Sequence, residues 1–220
     1  MEYKISDRMA VMKPSAIREI FKSLGTPGAI SFAAGNPAPE SFPVKEFSEI
    51  SADIFRNSPV TALQYSVTEG YPRLREQVKA RLAQKFGIDV TQNETVITSG
   101  GQQAIELACK ALCNPGDAVI CENPSFIGAL NAFRSNGART VGVKLEDDGV
   151  SVEELEETLR REGAKAKLLY LIPTFQNPGG ITMSLEKRKK VYALAQKYDV
   201  VILEDNPYGD LRFDGEELPT

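Results

Sequence analysis

The chain of 220 residues contains no histidine. That absence removes imidazole general bases, Ser-His-Asp and Cys-His relays, and every zinc site built on imidazole. Cysteine is scarce: Cys109, Cys113 and Cys121 make an odd three, too few for a disulfide framework, and read as buried structural thiols in a reducing compartment. There is no basic excess, because 26 Lys and Arg stand against 30 Asp and Glu for a net charge of −4. A broad cationic surface for nucleic acid is therefore not expected. No apolar run approaches the ~18 residues of a membrane span, and the start Met1-Glu2-Tyr3-Lys4-Ile5-Ser6-Asp7-Arg8 carries charges where a signal peptide needs an apolar stretch. Together these absences predict a cytoplasmic protein with neither nucleic acid nor membrane as partner. Internal repeats, low-complexity tracts and a Gly-x-Gly-x-x-Gly turn are missing too, and without that turn a dinucleotide-binding reading fails. What is present, 42% hydrophobic and 25% charged residues, suits a globular protein rather than a disordered, collagenous or coiled-coil one.

From Glu94 onward, short β-branched runs alternate with helical patterns, the sequence sign of an α/β fold with a parallel sheet. The predicted strands are Thr95–Thr98, Ala118–Cys121, Thr140–Val143, Leu168–Ile172 and Val200–Leu203. Several are apolar without alternation, as expected for strands covered on both faces. Helices are predicted near 101–113, 125–136, 151–162 and 184–198. Ser151-Val152-Glu153-Glu154 matches a capping box, and Leu185, Val191, Leu194, Ala195 and Tyr198 form an apolar stripe at helical spacing. Upstream, helices are expected at 14–24 and 43–56 around a loop at 35–39. Another begins near Pro72 and carries Leu74, Val78, Leu82 and Phe86 on one face.

In open parallel sheets ligands bind at the carboxyl ends of the strands, so the residues just after each run are the candidates. Ser99-Gly100-Gly101-Gln102-Gln103 is a small-residue turn opening a helix, where free backbone N–H groups favour a phosphate, although such a turn also serves plain chain reversal. Phe126 places a ring at the sheet edge in Glu122-Asn123-Pro124-Ser125-Phe126. Two further strand ends carry Gln176-Asn177-Pro178-Gly179-Gly180 and Glu204-Asp205-Asn206-Pro207-Tyr208. A carboxylate, an amide, a phenol and an aromatic face on neighbouring strand ends suit a planar, phosphorylated, heteroaromatic cofactor.

These motifs, with Gln64-Tyr65-Ser66 and Gly70 upstream, resemble the fold-type I pyridoxal-phosphate-dependent aminotransferases of class I/II, near the aminoadipate, kynurenine and broad amino-acid branch. The resemblance covers essentially the whole chain. It implies that Gly101 and Gln102 hold the phosphate of pyridoxal 5′-phosphate and that Phe126 stacks on the pyridine ring. It further implies that Asn177 and Tyr208 donate to the phenolate oxygen and that Asp205 pairs with the pyridinium nitrogen. Asp205 and Tyr208 are the catalytic candidates, Gly35 and Asn177 the substrate-binding ones, and Tyr65 is expected to cross a homodimer interface to the neighbouring phosphate. The implied substrates are an amino acid and a 2-oxo acid, with aromatic, aminoadipate-like and branched-chain donors all open. Phe126 departs from the family's usual tyrosine and so lacks a hydroxyl; Gly101 departs from its Ser or Thr.

The implied fold is a three-layer α/β large domain with a mostly parallel sheet. The expected organisation is an N-terminal arm and helix over residues 1–28 and an incomplete cofactor-binding large domain over 29–220. No lysine follows Lys197, whereas the family's Schiff-base lysine and its carboxylate-binding arginine are expected beyond Asp205 and Thr220. The resemblance thus suggests a chain shortened before the last sheet strands and the small domain, inactive alone, with Thr95–Thr98 and Val200–Leu203 flanking a gap. The alternative is a non-catalytic, effector-sensing aminotransferase-like module. Such modules occur fused to DNA-binding regulators, and their discriminating feature, a basic helix-turn-helix segment before this domain, is not expected here.

Overall fold

A computed structural model describes residues 3–10, 35 and 37–220 of the chain. The helix expected over 14–24 and the boundary expected at residues 28 and 29 lie outside the described residues. Those described fall into two compact units, one comprising 3–10, 85–87 and 98–220 and the other 35, 37–84 and 88–97.

In the first unit the sheet runs β3-β2-β1-β4-β5, with β1 Ala118–Asn123, β2 Arg139–Glu146, β3 Gly149–Val150, β4 Ala166–Leu171 and β5 Val201–Glu204. All pairs are parallel except β2 with the short β3, a hairpin in which Leu145 faces Val150. The mostly parallel α/β sheet is therefore as expected. Helices α6 Ile127–Ser135, α7 Val152–Glu162 and α8 Leu185–Lys197 connect the strands and α5 Gly101–Leu112 leads into β1, after α1 Asp7–Ala10 and, in the second unit, α2 Val44–Asn57, α3 Pro59–Leu63 and α4 Pro72–Phe86, whose last two residues belong to the first unit.

Strand side chains alternate between faces, so one apolar run feeds two cores. Val119, Cys121, Leu168, Tyr170 and Ile172 pack with Ile105 and Cys109 of α5 and Phe133 of α6. Ile120, Leu169 and Leu171 pack instead with Leu155 and Leu159 of α7 and Val191 and Leu194 of α8. This double cover makes three layers and explains why β1 and β4 read as continuous hydrophobic runs. Burial pushes the thiols of Cys109 and Cys121 up to about 12, which leaves them as packing groups.

Two expectations fail. Thr95–Thr98 is not a strand: the Ile97 N–H donates to Glu69 O at 2.9 Å, and Val96 is 58% exposed. An apolar run becomes a strand only with a ladder partner, and the described residues offer it none. The capping box at Ser151 is not closed either. The hydroxyl makes no cap bond, and Glu154 Oε2 accepts instead from the Lys144 N–H at 3.1 Å, tying α7 to β2. At the far end of the sheet β5 pairs with β4 alone, and Val201 is half exposed.

In the second unit no described residue is buried, and the expected apolar face of α4 is only half covered. Gly70 there has φ +104, and an added Cβ would lie 2.6 Å from Ile97 Cβ.

Candidate functional site

The carboxyl ends of β1, β4 and β5 share one edge of the sheet, and Phe126, Asn177, Asp205 and Tyr208 sit on the segments that leave that edge, whereas Gly101 and Gln102 open α5, ahead of β1. Gly100 precedes α5 with φ +84, the left-handed region that favours glycine. No side chain caps α5, and a Cβ at Gly100 or Gly101 would meet nothing within 4 Å. A helix N-terminus with open space before its first turn results. Gln103 Oε1 accepts the Ser99 N–H at 2.6 Å and pins the approach to the helix.

Gln102 Nε2 donates to Gly128 O at 3.0 Å, so its side-chain amide is used within the fold. The Phe126 ring lies at the same spot. A Cβ at Gly128 would sit 2.5 Å from Phe126 Cζ and 2.7 Å from Gln102 Oε1. Gly128 is thus where α5 and the start of α6 close on each other, and it brings the expected stacking ring beside the expected phosphate end.

Past β4, Asn177 Nδ2 donates to Tyr208 Oη at 3.2 Å, joining the two groups expected to serve one oxygen. Tyr208 lies within a turn fixed by Asn206, whose Oδ1 accepts the Gly209 N–H at 3.1 Å. Asp205 continues the β5 ladder through its N–H to Leu171 O at 2.8 Å, and its Oδ2 accepts from Tyr170 Oη at 2.7 Å. Tyr170 is fully buried and meets Phe133 edge-on, ring centroids 5.4 Å apart. Burial, then the Asp205 hydrogen bond, push its phenol well up, so it stays a donor.

The sequence reading gave no site role to three side chains of this region: Tyr170, read as strand, and Glu122 and Gln176, quoted only as members of their motifs. Glu122 ends the apolar run of β1 and is 2% exposed; burial pushes its carboxyl up to about 7, opposed by bonds from the Ile172 N–H and from Gln176. An acidic residue inside a doubly covered strand was the available signal. Tyr65 and Gly35 belong to the second unit. Tyr65 is 99% exposed, not a packed core aromatic, and Gly35 has φ +57.

A donor set of backbone N–H groups, a ring face, an amide with a phenol, and a carboxylate fits a planar phosphorylated pyridine, one group for each part of the cofactor. The family model described as aminotransferase class I and II matches residues 27–219. An aromatic-amino-acid aminotransferase of Thermococcus litoralis is 41% identical over 99% of this chain and 53% of its own, and a 2-aminoadipate transaminase of Thermus thermophilus is 42% identical over 95% and 51%. The crystal structure of a Pyrococcus horikoshii kynurenine aminotransferase, in complex with PMP, superposes with a TM-score of 0.89 at 39% identity, covering 97% of this chain and 53% of that one. The chain spans about half the length of the curated relatives it matches.

Proposed function

The chain belongs to the class I and II aminotransferases, and from that membership we propose that the protein moves an amino group from an amino acid to a 2-oxo acid with pyridoxal phosphate, these residues supplying the side of the site that grips the cofactor's ring and phosphate. The observation that carries this reading is the pairing of Asn177 with Tyr208 beside Asp205 on strand ends that share an edge. Pyridoxal phosphate supplies, when bound, an electron sink for the pair released as the substrate Cα–H bond breaks. Asp205 holds a proton at the pyridine nitrogen, which keeps that sink open. Tyr170 occupies Asp205 Oδ2 and so fixes the carboxylate's direction. Asn177 and Tyr208 donate to the phenolate oxygen, Phe126 covers a ring face and excludes water from it, and the first N–H groups of α5, from Gly101 and Gln102, hold the phosphate.

Tyr65 serves the phosphate of a second copy, so the working form is a homodimer; its full exposure supports that role. Gly35 lies against the substrate. No helix among the described residues is long and apolar enough to cross a membrane, and a cytoplasmic setting suits three free cysteines. The names of the relatives make aromatic amino acids and 2-aminoadipate the donors to try first.

The test is amino-group transfer. The protein carrying these residues, supplied with pyridoxal phosphate, an aromatic amino acid or 2-aminoadipate, and a 2-oxo acid, yields the new amino acid. Asp205→Asn abolishes the conversion while lowering cofactor affinity far less. Decarboxylated or eliminated products in place of transfer would overturn the reading.

A further inference from the structure

Two segments of the proposed site start from different strands. The Phe126 loop leaves β1 through Asn123 and Pro124, and the Asn177–Gly180 turn follows β4. Neither segment is in a sheet or helix; the Asn177 turn is closed on itself by backbone bonds from the Gly180 N–H to Gln176 O at 2.6 Å and from the Gln176 N–H to Ile181 O at 2.8 Å, and side-chain bonds join it to the Phe126 loop. One buried side chain bonds to both. Gln176 Nε2 donates to Pro124 O at 2.9 Å and to Glu122 Oε2 at 3.2 Å, while Gln176 Oε1 accepts the Gly179 N–H at 2.6 Å. Glu122 Oε2 in turn accepts the Ile172 N–H at 3.1 Å, just beyond β4. Glu122 and Gln176 are each 2% exposed.

We propose that Gln176, anchored on Glu122, is a positioning residue that holds the Phe126 loop and the Asn177 turn in one register. This rests on the reading that those segments carry the stacking ring and a phenolate donor of a pyridoxal phosphate site. The chemistry of position 176 is specific. The neighbouring Pro124 carbonyl and Glu122 oxygen need donors and the Gly179 N–H needs an acceptor, and an amide is the uncharged group that supplies both from one end. Glutamate there retains the acceptor and loses both donors; leucine loses all three. The turn is built closely around the amide, since a Cβ on Gly179 would lie 2.8 Å from Gln176 Oε1. At position 122 the requirement is only an acceptor, which glutamine also provides. A buried donor or acceptor left without its partner forfeits its desolvation as well as its bond, so the effect of breaking the brace reaches both segments at once.

Backbone hydrogen exchange and binding of pyridoxamine 5′-phosphate, compared across the unaltered chain, Gln176→Leu, Gln176→Glu and Glu122→Gln, test this. Pyridoxamine phosphate is the probe because it forms no Schiff base with surface lysines. In Gln176→Leu and Gln176→Glu, exchange rises together in 125–128 and 177–181, with the amides of β1 and β4 unchanged, and affinity drops about tenfold or more. Glu122→Gln keeps exchange as in the unaltered chain and affinity within about threefold. Exchange rising in only one segment, or in neither, overturns the brace, as does unchanged affinity in both Gln176 variants. If the unaltered chain does not bind the probe, the cofactor reading fails instead, and the joint rise in exchange still decides the brace. Should either Gln176 variant unfold, Glu122→Leu removes the anchor alone and must loosen the same two segments.

Discussion

Tyr170 on β4 donates its phenolic O–H to Asp205 Oδ2, one residue past the end of β5, at 2.7 Å. The bond joins a fully buried ring to the carboxylate proposed to face the cofactor nitrogen. Phenylalanine preserves the ring packing against Phe133 and removes only the bond. Tyr170→Phe is therefore expected to cost about 1–2 kcal/mol of stability in urea denaturation, because one oxygen of a carboxylate loses its donor. It also weakens pyridoxamine phosphate binding, since Asp205 is then free to turn. Unchanged stability would mean that the bond is dispensable.

Glu122 gives stability a pH dependence whose sign is fixed. Its carboxyl ionises near the usual 4.5 when unfolded and at about 7 in the fold, where burial disfavours the charge. Between those values the folded state binds more protons, so stability is full below 4.5 and declines as pH rises through 7, by about 3 kcal/mol in total. In Glu122→Gln this component disappears. Urea denaturation of both proteins from pH 4.5 to 8 should therefore show the variant gaining on the unaltered chain as pH rises.

Gly128→Ala sets two effects against each other. Alanine favours α6 by up to about 1 kcal/mol of helix propensity, whereas its Cβ would lie 2.5 Å from the Phe126 ring. Overpacking of this kind costs about 1–3 kcal/mol, and the ring and the Gln102 amide, whose Oε1 would lie 2.7 Å away, are the groups that must give way. The expectation is a protein of little changed or slightly lower stability whose affinity for pyridoxamine phosphate drops about tenfold. Calorimetric titration measures it; affinity equal to that of the unaltered chain would remove Phe126 from the site.

The apolar runs of β1, β2, β4 and β5 and the helices between them were legible because local pattern and tertiary cover agree there. Thr95–Thr98 has the same kind of composition and is no strand, since pairing is a property of neighbours that a run does not contain. The site motifs after β1, β4 and β5 were legible as strand-end segments, and Ser99–Gln103 as a helix start, though the strand expected before it is missing among the described residues. The contacts that brace them were not: Tyr170 meets Asp205 across 35 residues, and Gln176 meets Glu122 across 54. Tyr170 shares its strand face with Leu168 and Ile172 and looks like core in the sequence; only the sheet register brings its hydroxyl beside Asp205.

The role of Asp205 is read directly from the ¹⁵N chemical shift of the ring nitrogen in labelled pyridoxamine 5′-phosphate bound to the unaltered chain and to Asp205→Asn. A protonated pyridinium nitrogen is expected in the first, persisting above the pH at which the free compound loses that proton, and an unprotonated one in the second. The same shift in both proteins would contradict that role.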